Sequence, residues 1–411
     1  SRWAVIACDQ HTSDPAYWEE VARIAGDHPS TLQLILPEAH LEASDKDERI
    51  ARIHESMRQY LEDGTLTEYG ESGVLVRREL PDGGTRWGLV LALDLEAYDY
   101  DPDSKKMVRA TEGTILERIP PRVSIRKNAS VQLPHILMML DDPERSVIEP
   151  LSERSDELSK LYDDELMLDG GRVSGYAVEQ ESHLAEVASS LEALLDPNRL
   201  QERYGETDPL LMAVGDGNHS LAAAKTVWEE LKAGGADPET HPARYALVEI
   251  VNLYDSGLRF EPIHRVVFGV DRDSFIAGLT RELGAQRIPV ERRGESEDAL
   301  ARRMVDEVAE NGAGGLIGIL AGDKSTYLSC NTESGEIPGV LLQRLLDADG
   351  SEGAPRDIDY IHEPDTVASL CREEENLGII LPPIPREMIF PHVVKHRSEE
   401  HTSELQSPSA I

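Results

Sequence analysis

The stretch Leu210-Leu-Met-Ala-Val-Gly-Asp-Gly-Asn-His-Ser-Leu-Ala-Ala-Ala-Lys225 decides the fold class. An apolar run, a turn with two glycines and a small-residue apolar segment predict a strand, a tight turn and a helix. Ser, Asn or Asp in such a turn can cap the helix that follows. The first amides of that helix, together with its dipole, make a ready anion site. A phosphate group there would be met by the Gly215 and Gly217 backbone and by Asn218, His219 and Ser220. Asp216 could hold a Mg²⁺ that bridges phosphate oxygens, or take the proton from an attacking hydroxyl. The same residues would serve equally as an ordinary glycine turn that caps a helix. The spacing matches neither a phosphate-binding loop ending in Gly-Lys-Ser/Thr nor a three-glycine dinucleotide fingerprint.

Outward from this turn, strand-like and helix-like segments alternate, so the expectation is a mixed α/β (α+β) chain. Trp3–Cys8 and Thr31–Leu36 read as short buried strands. Ser13-Asp-Pro15 reads as the cap and opening of a helix that ends before Gly26. The spacing of Ile50, Ile53, Met57 and Leu61 predicts a helix over Asp45–Asp63. Gly73–Leu80 and Thr85–Asp94, joined at Pro81-Asp-Gly-Gly84, read as a hairpin. Ile119-Pro-Pro-Arg122 reads as a joint, Leu151–Leu161 as a helix, and Ala243–Tyr254 as a strand. Three segments are expected: 1–118, a core 119–270 carrying the glycine turn, and 271–396.

The 411 residues contain 78 acidic and 41 basic side chains, a formal net charge of −37. A field of that sign repels nucleic acid and anionic lipid, so neither is an expected partner. No apolar run reaches the roughly 20 residues of a spanning helix. Three separated cysteines, Cys8, Cys330 and Cys371, make neither a disulfide framework nor a thiolate zinc site. These features fit a cytoplasmic protein with small-molecule partners. The tail from Arg397 reads Arg-Ser-Glu-Glu-His-Thr-Ser-Glu-Leu-Gln-Ser407, the translation of a common sequencing-library adapter. Residues 397–411 are therefore set aside as non-native, and the apolar opening at Ser1 suggests a fragment of a longer reading frame.

Several segments together resemble domain-of-unknown-function family 1015. They are Ala213–Lys225, Trp3–Ser13, Ser30–Pro37, Leu133-Pro-His-Ile136, Pro242–Glu249, Phe260-Glu-Pro-Ile-His-Arg265 and Asp359-Tyr-Ile-His362. The turn is also similar to the Asp-Gly-His-His-Arg turn of the ParB/sulfiredoxin-like superfamily. Asp216, Gly217 and His219 match it, while Asn218 and Ser220 replace a His and an Arg. That resemblance implies a nucleotide-binding core using ATP and Mg²⁺, and a kinase of a small hydroxylated metabolite with free serine foremost. Asp216 and His219 would be catalytic. Asp9, Gln10, Glu261, His264 and Arg265 are candidates to orient the acceptor. The missing Arg leaves open a second expectation, a nucleotide-binding regulator with little or no turnover. Arg118, Arg122, Arg126 and Lys127 form a basic run that reads first as a solvated face.

Overall fold

A computed structural model gives the fold. It describes residues 1–7, 14–41, 43–101, 104–111, 119–133, 136–258, 260, 262–311, 315–330, 339, 342, 345–346 and 357–395. The chain is mixed α/β and divides into two compact units. Among the described residues the first holds everything up to Leu258 with Phe390–Lys395, and the second holds Phe260–Ile389.

The first unit is built on a nine-stranded sheet. Its strands are β1 (Gly73–Glu79), β2 (Thr85–Asp94), β3 (Tyr98–Asp99), β4 (Val108–Arg109), β5 (Leu137–Leu140), β6 (Ser159–Glu165), β7 (Arg172–Val178), β8 (Met212–Asp216) and β9 (Tyr245–Asn252). They lie in the order β3-β4-β8-β5-β9-β2-β1-β7-β6. The strand of the glycine turn, β8, runs parallel to β4 and antiparallel to β5. One face of this sheet carries the main core: Leu75, Leu89, Met138, Val214 and Ile250 pack with Leu221, Ala224 and Trp228 of the following helix. The helices of this unit are α1 (Pro15–Ala25), α2 (Lys46–Glu62), α3 (Ile119–Arg126), α4 (Glu149–Ser152), α5 (Glu181–Leu194), α6 (Pro197–Tyr204) and α7 (Asn218–Ala233).

The second unit has a six-stranded sheet of β10 (His264–Phe268), β11 (Gln286–Pro289), β12 (Leu316–Leu320), β13 (Thr326–Ser329), β14 (Asp357–Ile361) and β15 (Leu377–Ile380). Their order is β11-β13-β12-β15-β10-β14. Its helices are α8 (Arg272–Glu282), α9 (Glu297–Asn311) and α10 (Pro364–Leu370), and a last helix, α11 (Arg386–Lys395), belongs to this unit up to Ile389 and to the first from Phe390.

The helix start at Asp14-Pro15 is as expected: Asp14 accepts from Tyr17 N and Gly26 closes the helix at φ 54°. The β1–β2 hairpin is also as expected, with Val74 opposite Val90. Four local expectations are corrected. Trp3–Ala7 forms no strand; it is held by Thr31 N to Trp3 O and Met167 N to Ala4 O. Thr31–Leu34 is a 3₁₀ turn, because the Ser30 hydroxyl accepts from Leu32 N and starts a helical turn there. Leu151–Leu161 is a short helix followed by β6. Ile119-Pro-Pro-Arg122 opens α3, since prolines in a first helical turn cost no hydrogen bond. The expected division at 118/119 falls inside the first unit, because strands from both sides of it share one sheet. The observed division, before Phe260, precedes the expected one at 270/271 and brings β10 into the second unit.

Beyond the end of β5, Asp141 is buried and accepts from Arg203 Nε at 2.9 Å, Arg203 Nη2 at 2.6 Å and the Tyr254 hydroxyl at 3.0 Å. This ties α6 to the sheet through a low-dielectric ion pair. Asp141→Ala leaves a partly buried guanidinium without its carboxylate, and we expect it to lower stability by about 3 kcal/mol. Tyr254→Phe removes one neutral donor and is expected to cost about 1 kcal/mol. Urea unfolding followed by circular dichroism checks both values.

Candidate functional site

β8 is buried from Met212 to Gly215. It pairs Val214 with Met138 and Asp216 with Leu137, so Gly215 is the extra residue of a β-bulge. A Cβ on Gly215 would lie 3.0 Å from Met139 Cγ, which explains the first glycine. Gly217 then turns the chain at φ 85°, in the left-handed region where a side chain is strained. The N-cap of α7 is Gly217, which has no side chain to cap it, and the helix's first internal bond runs from Leu221 N to Gly217 O at 2.9 Å. The amides of residues 218–220 therefore lie ahead of the helix's own ladder, at the positive end of its dipole.

Asp216, Gly217, His219 and Ser220 are half-buried around this helix start. The Asp216 carboxylate accepts from Gly217 N at 2.6 Å, which fixes it beside the turn. Asn218 is placed differently. It is 5% exposed; its Oδ1 accepts from Thr111 N at 3.4 Å and its Nδ2 donates to Thr111 Oγ1 at 3.3 Å. The Thr111 hydroxyl in turn donates to Val214 O at 2.7 Å. The Asn218 carboxamide is thus committed inward as a latch between the end of β4 and the start of α7. Phosphate recognition at this turn would then rest on backbone amides with His219 and Ser220.

Helix α3 lies along α7, with Ile119 packed on Ala222 and Ala223. It carries the basic run, which is not simply a solvated face. Arg122 and Arg126 are half-buried, and Lys127 pairs with Glu230 at 3.0 Å. Arg126 donates to Gln132 Oε1 at 2.6 Å, and burial lowers its guanidinium to about 10. Arg118 lies outside the described residues.

His264 and Arg265 sit in the second unit, on a strand paired on both sides. Both are 0% exposed. His264 Nδ1 accepts from Leu381 N at 3.2 Å, while its Nε2 is buried with no hydrogen-bond partner among the described residues. Burial first, then His362 and Arg265, push its imidazole down to about 3. Arg265 Nη1 donates to Ile263 O at 2.5 Å, and its guanidinium lies 4.3 Å over the Tyr360 ring. Asp9, Gln10 and Glu261 lie outside the described residues. Among the described residues no group of three or more His, Cys, Asp or Glu could hold a metal by itself. Cys330 and Cys371 are buried free thiols that burial pushes up to about 11 and about 12. No helix among the described residues is long and apolar enough to cross a membrane.

A family model described as "Protein of unknown function (DUF1015)" matches residues 1–349. No curated protein matches. Among solved structures, a conserved hypothetical protein from Pyrococcus furiosus is similar, at 16% identity and a TM-score of 0.26, over 49% of this chain and 76% of that one.

The buried His264 ring sets a pH dependence. Its pKa is lower folded than unfolded, so below its ordinary value of 6.5 the unfolded chain binds a proton that the folded ring refuses until about 3. Stability from this residue is present above that ordinary value and is lost as pH falls. The expected slope is about 1.4 kcal/mol per pH unit over this window. Urea unfolding near neutral pH and again at mildly acidic pH should therefore show a smaller acid loss in His264→Gln than in the native chain. Equal losses in the two proteins would mean that the ring titrates normally.

Proposed function

The chain belongs to the DUF1015 family, and from that premise we propose that it is a cytoplasmic phosphotransferase. It would move a phosphoryl group from ATP to a small hydroxylated metabolite in a Mg²⁺-dependent reaction, with free serine first among the acceptors to try. The reading rests on one observation: α7 opens on Gly217, which gives it no side-chain cap, with its leading turn beside half-buried Asp216, His219 and Ser220. Amides and dipole there favour phosphate oxygens, and a half-buried setting strengthens each contact relative to water. The surplus of negative charge elsewhere opposes a free polyphosphate, so a metal-complexed one is the form this surface would accept.

In the proposed reaction the acceptor hydroxyl oxygen bonds to the γ-phosphorus as the bond to the β,γ-bridging oxygen breaks. ADP leaves with that electron pair, and the hydroxyl proton passes to Asp216. His219 would donate to the transferring oxygens and offset their charge. Mg²⁺, where bound, neutralises phosphate charge. A single carboxylate with phosphate oxygens and water is a common donor set for it, and Asp216 would serve as that ligand in the alternative to its role as base.

The second reading, a nucleotide-binding regulator with little turnover, draws on Ser220. This position contributes no fixed cation to a turn in which Gly215–Ser220 holds no Lys or Arg.

Incubation with ATP, Mg²⁺ and a pool of hydroxy metabolites including serine, followed by mass spectrometry, tests the proposal. A phosphorylated product is expected, and Asp216→Ala or His219→Ala should cut its rate by about 100-fold or more. Nucleotide affinity should change far less than the rate in both variants. Saturable nucleotide binding without product supports the regulator instead. Absence of both would make the turn a structural element only.

A further inference from the structure

We propose that Arg86, Glu249 and Tyr162 form a binding site for a small carboxylate-bearing metabolite that also carries a hydrogen-donating group. All three lie in the first unit, on the sheet face opposite its main core.

The strand register assembles them. Tyr162 pairs with Gly175, Gly175 with Val76, and Val76 with Gly88, which puts these residues in one row on one face. Glu249 pairs with Val90, two residues along β2 from Gly88, and so shares that face. The two glycines make room. A Cβ on Gly88 would lie 2.1 Å from Glu249 Oε1, and one on Gly175 would lie 2.2 Å from the Tyr162 ring. Glu249 therefore lies flat over Gly88, and Tyr162 over Gly175, the two reaching toward each other. The carboxylate is near enough to add to the burial that pushes the Tyr162 phenol up to about 12.

Arg86, two residues along β2 from Gly88 and so on the same face, is 2% exposed, with Nη2 donating to Glu249 Oε1 at 2.8 Å. Its Nε and Nη1 are buried and have no hydrogen-bond partner among the described residues. A buried guanidinium with two nitrogens unserved is an unusual arrangement that calls for an acceptor. Glu249 keeps a part-exposed side chain at 17%, and Tyr162 is 41% exposed, so a ligand would reach Arg86 past these two. A ligand carboxylate would answer one edge of the Arg86 guanidinium, and an ammonium or hydroxyl on the same molecule would answer Glu249. The Tyr162 hydroxyl supplies one more donor at the rim. In a chain of net charge −37, a buried cation offsets the repulsion that a small anion meets. The proposal does not rest on the phosphotransferase reading, because direct binding without nucleotide reads it.

Isothermal titration of the full chain with L-serine, D-glycerate and L-malate, with glycerol as the uncharged control, tests the site. At least one acid should bind saturably and glycerol should not. Arg86→Met and Glu249→Gln should each weaken binding about 10- to 100-fold, and Tyr162→Phe about fivefold. Tyr162→Phe changes a partly exposed side chain and keeps the test available if Arg86→Met fails to fold, as judged by circular dichroism. No binding of any acid to the native chain, equal binding of glycerol, or unchanged binding in the folded variants would each overturn the proposal.

Discussion

The carboxamide of Asn218 closing on Thr111 is the contact from which the candidate site hangs. It joins the second residue after β4 to the first residue of α7, while the Thr111 hydroxyl reaches Val214 O in β8. Three short backbone segments are thereby held at one corner of the sheet by two polar side chains that are both buried. Buried polar groups in such a chain are either all satisfied or costly, so the latch also fixes the direction of the turn. Gly215 in its bulge and Gly217 in its left-handed turn are the backbone consequences. With the chain pinned on either side, Asp216, His219 and Ser220 are left half-buried around the helix start.

A second constraint is the distribution of charge. Acidic side chains outnumber basic ones by 78 to 41, yet several arginines are spent inside as backbone donors. Arg78 serves Glu79 O and Gly170 O, and Arg272 serves Asn376 O, Cys371 O and Glu373 O. A guanidinium spreads five donors over a fixed plane, which suits the capping of irregular carbonyls better than a lysine ammonium does. Moving cations inward leaves the surface more acidic than the total charge implies. Cations facing a potential ligand then become scarce and local, which is why single residues such as Arg86 carry weight.

How much of this could be read from the sequence depends on whether the signal was local. The β1–β2 hairpin, the helix capped at Asp14 and the strand–turn–helix at Leu210–Lys225 all show in short windows, since turn glycines, caps and apolar periodicity act within a few residues. Trp3–Ala7 misleads because Trp3–Ile6 are half-buried without a strand partner, so composition suggests a strand that no ladder completes. Leu151–Leu161 misleads in the other direction: Ser159–Glu165 pairs with β7 despite its polar residues, because it is an edge strand with one face open. The inward role of Asn218 was hidden as well. In sequence it belongs to a polar turn, and only its partner 107 residues earlier shows that it faces the interior.

The Arg86–Glu249 pair extends that lesson to sites. The two residues are 163 positions apart, and neither sits in a motif that predicts the other. Their meeting needs β2 beside β9 in one register, and it also needs an absence, since any side chain at Gly88 would occupy the place of the Glu249 carboxylate. A glycine in the middle of a strand costs stability, so its presence under a charged side chain implies a return elsewhere. That return is space on a sheet face, opened once at Gly88 and again across the sheet at Gly175. Packing alone would have filled both positions with a methyl group or more. Two such openings in one row, beneath a carboxylate and a phenol and beside a buried guanidinium with nitrogens unserved, fit recognition of a ligand better than they fit packing.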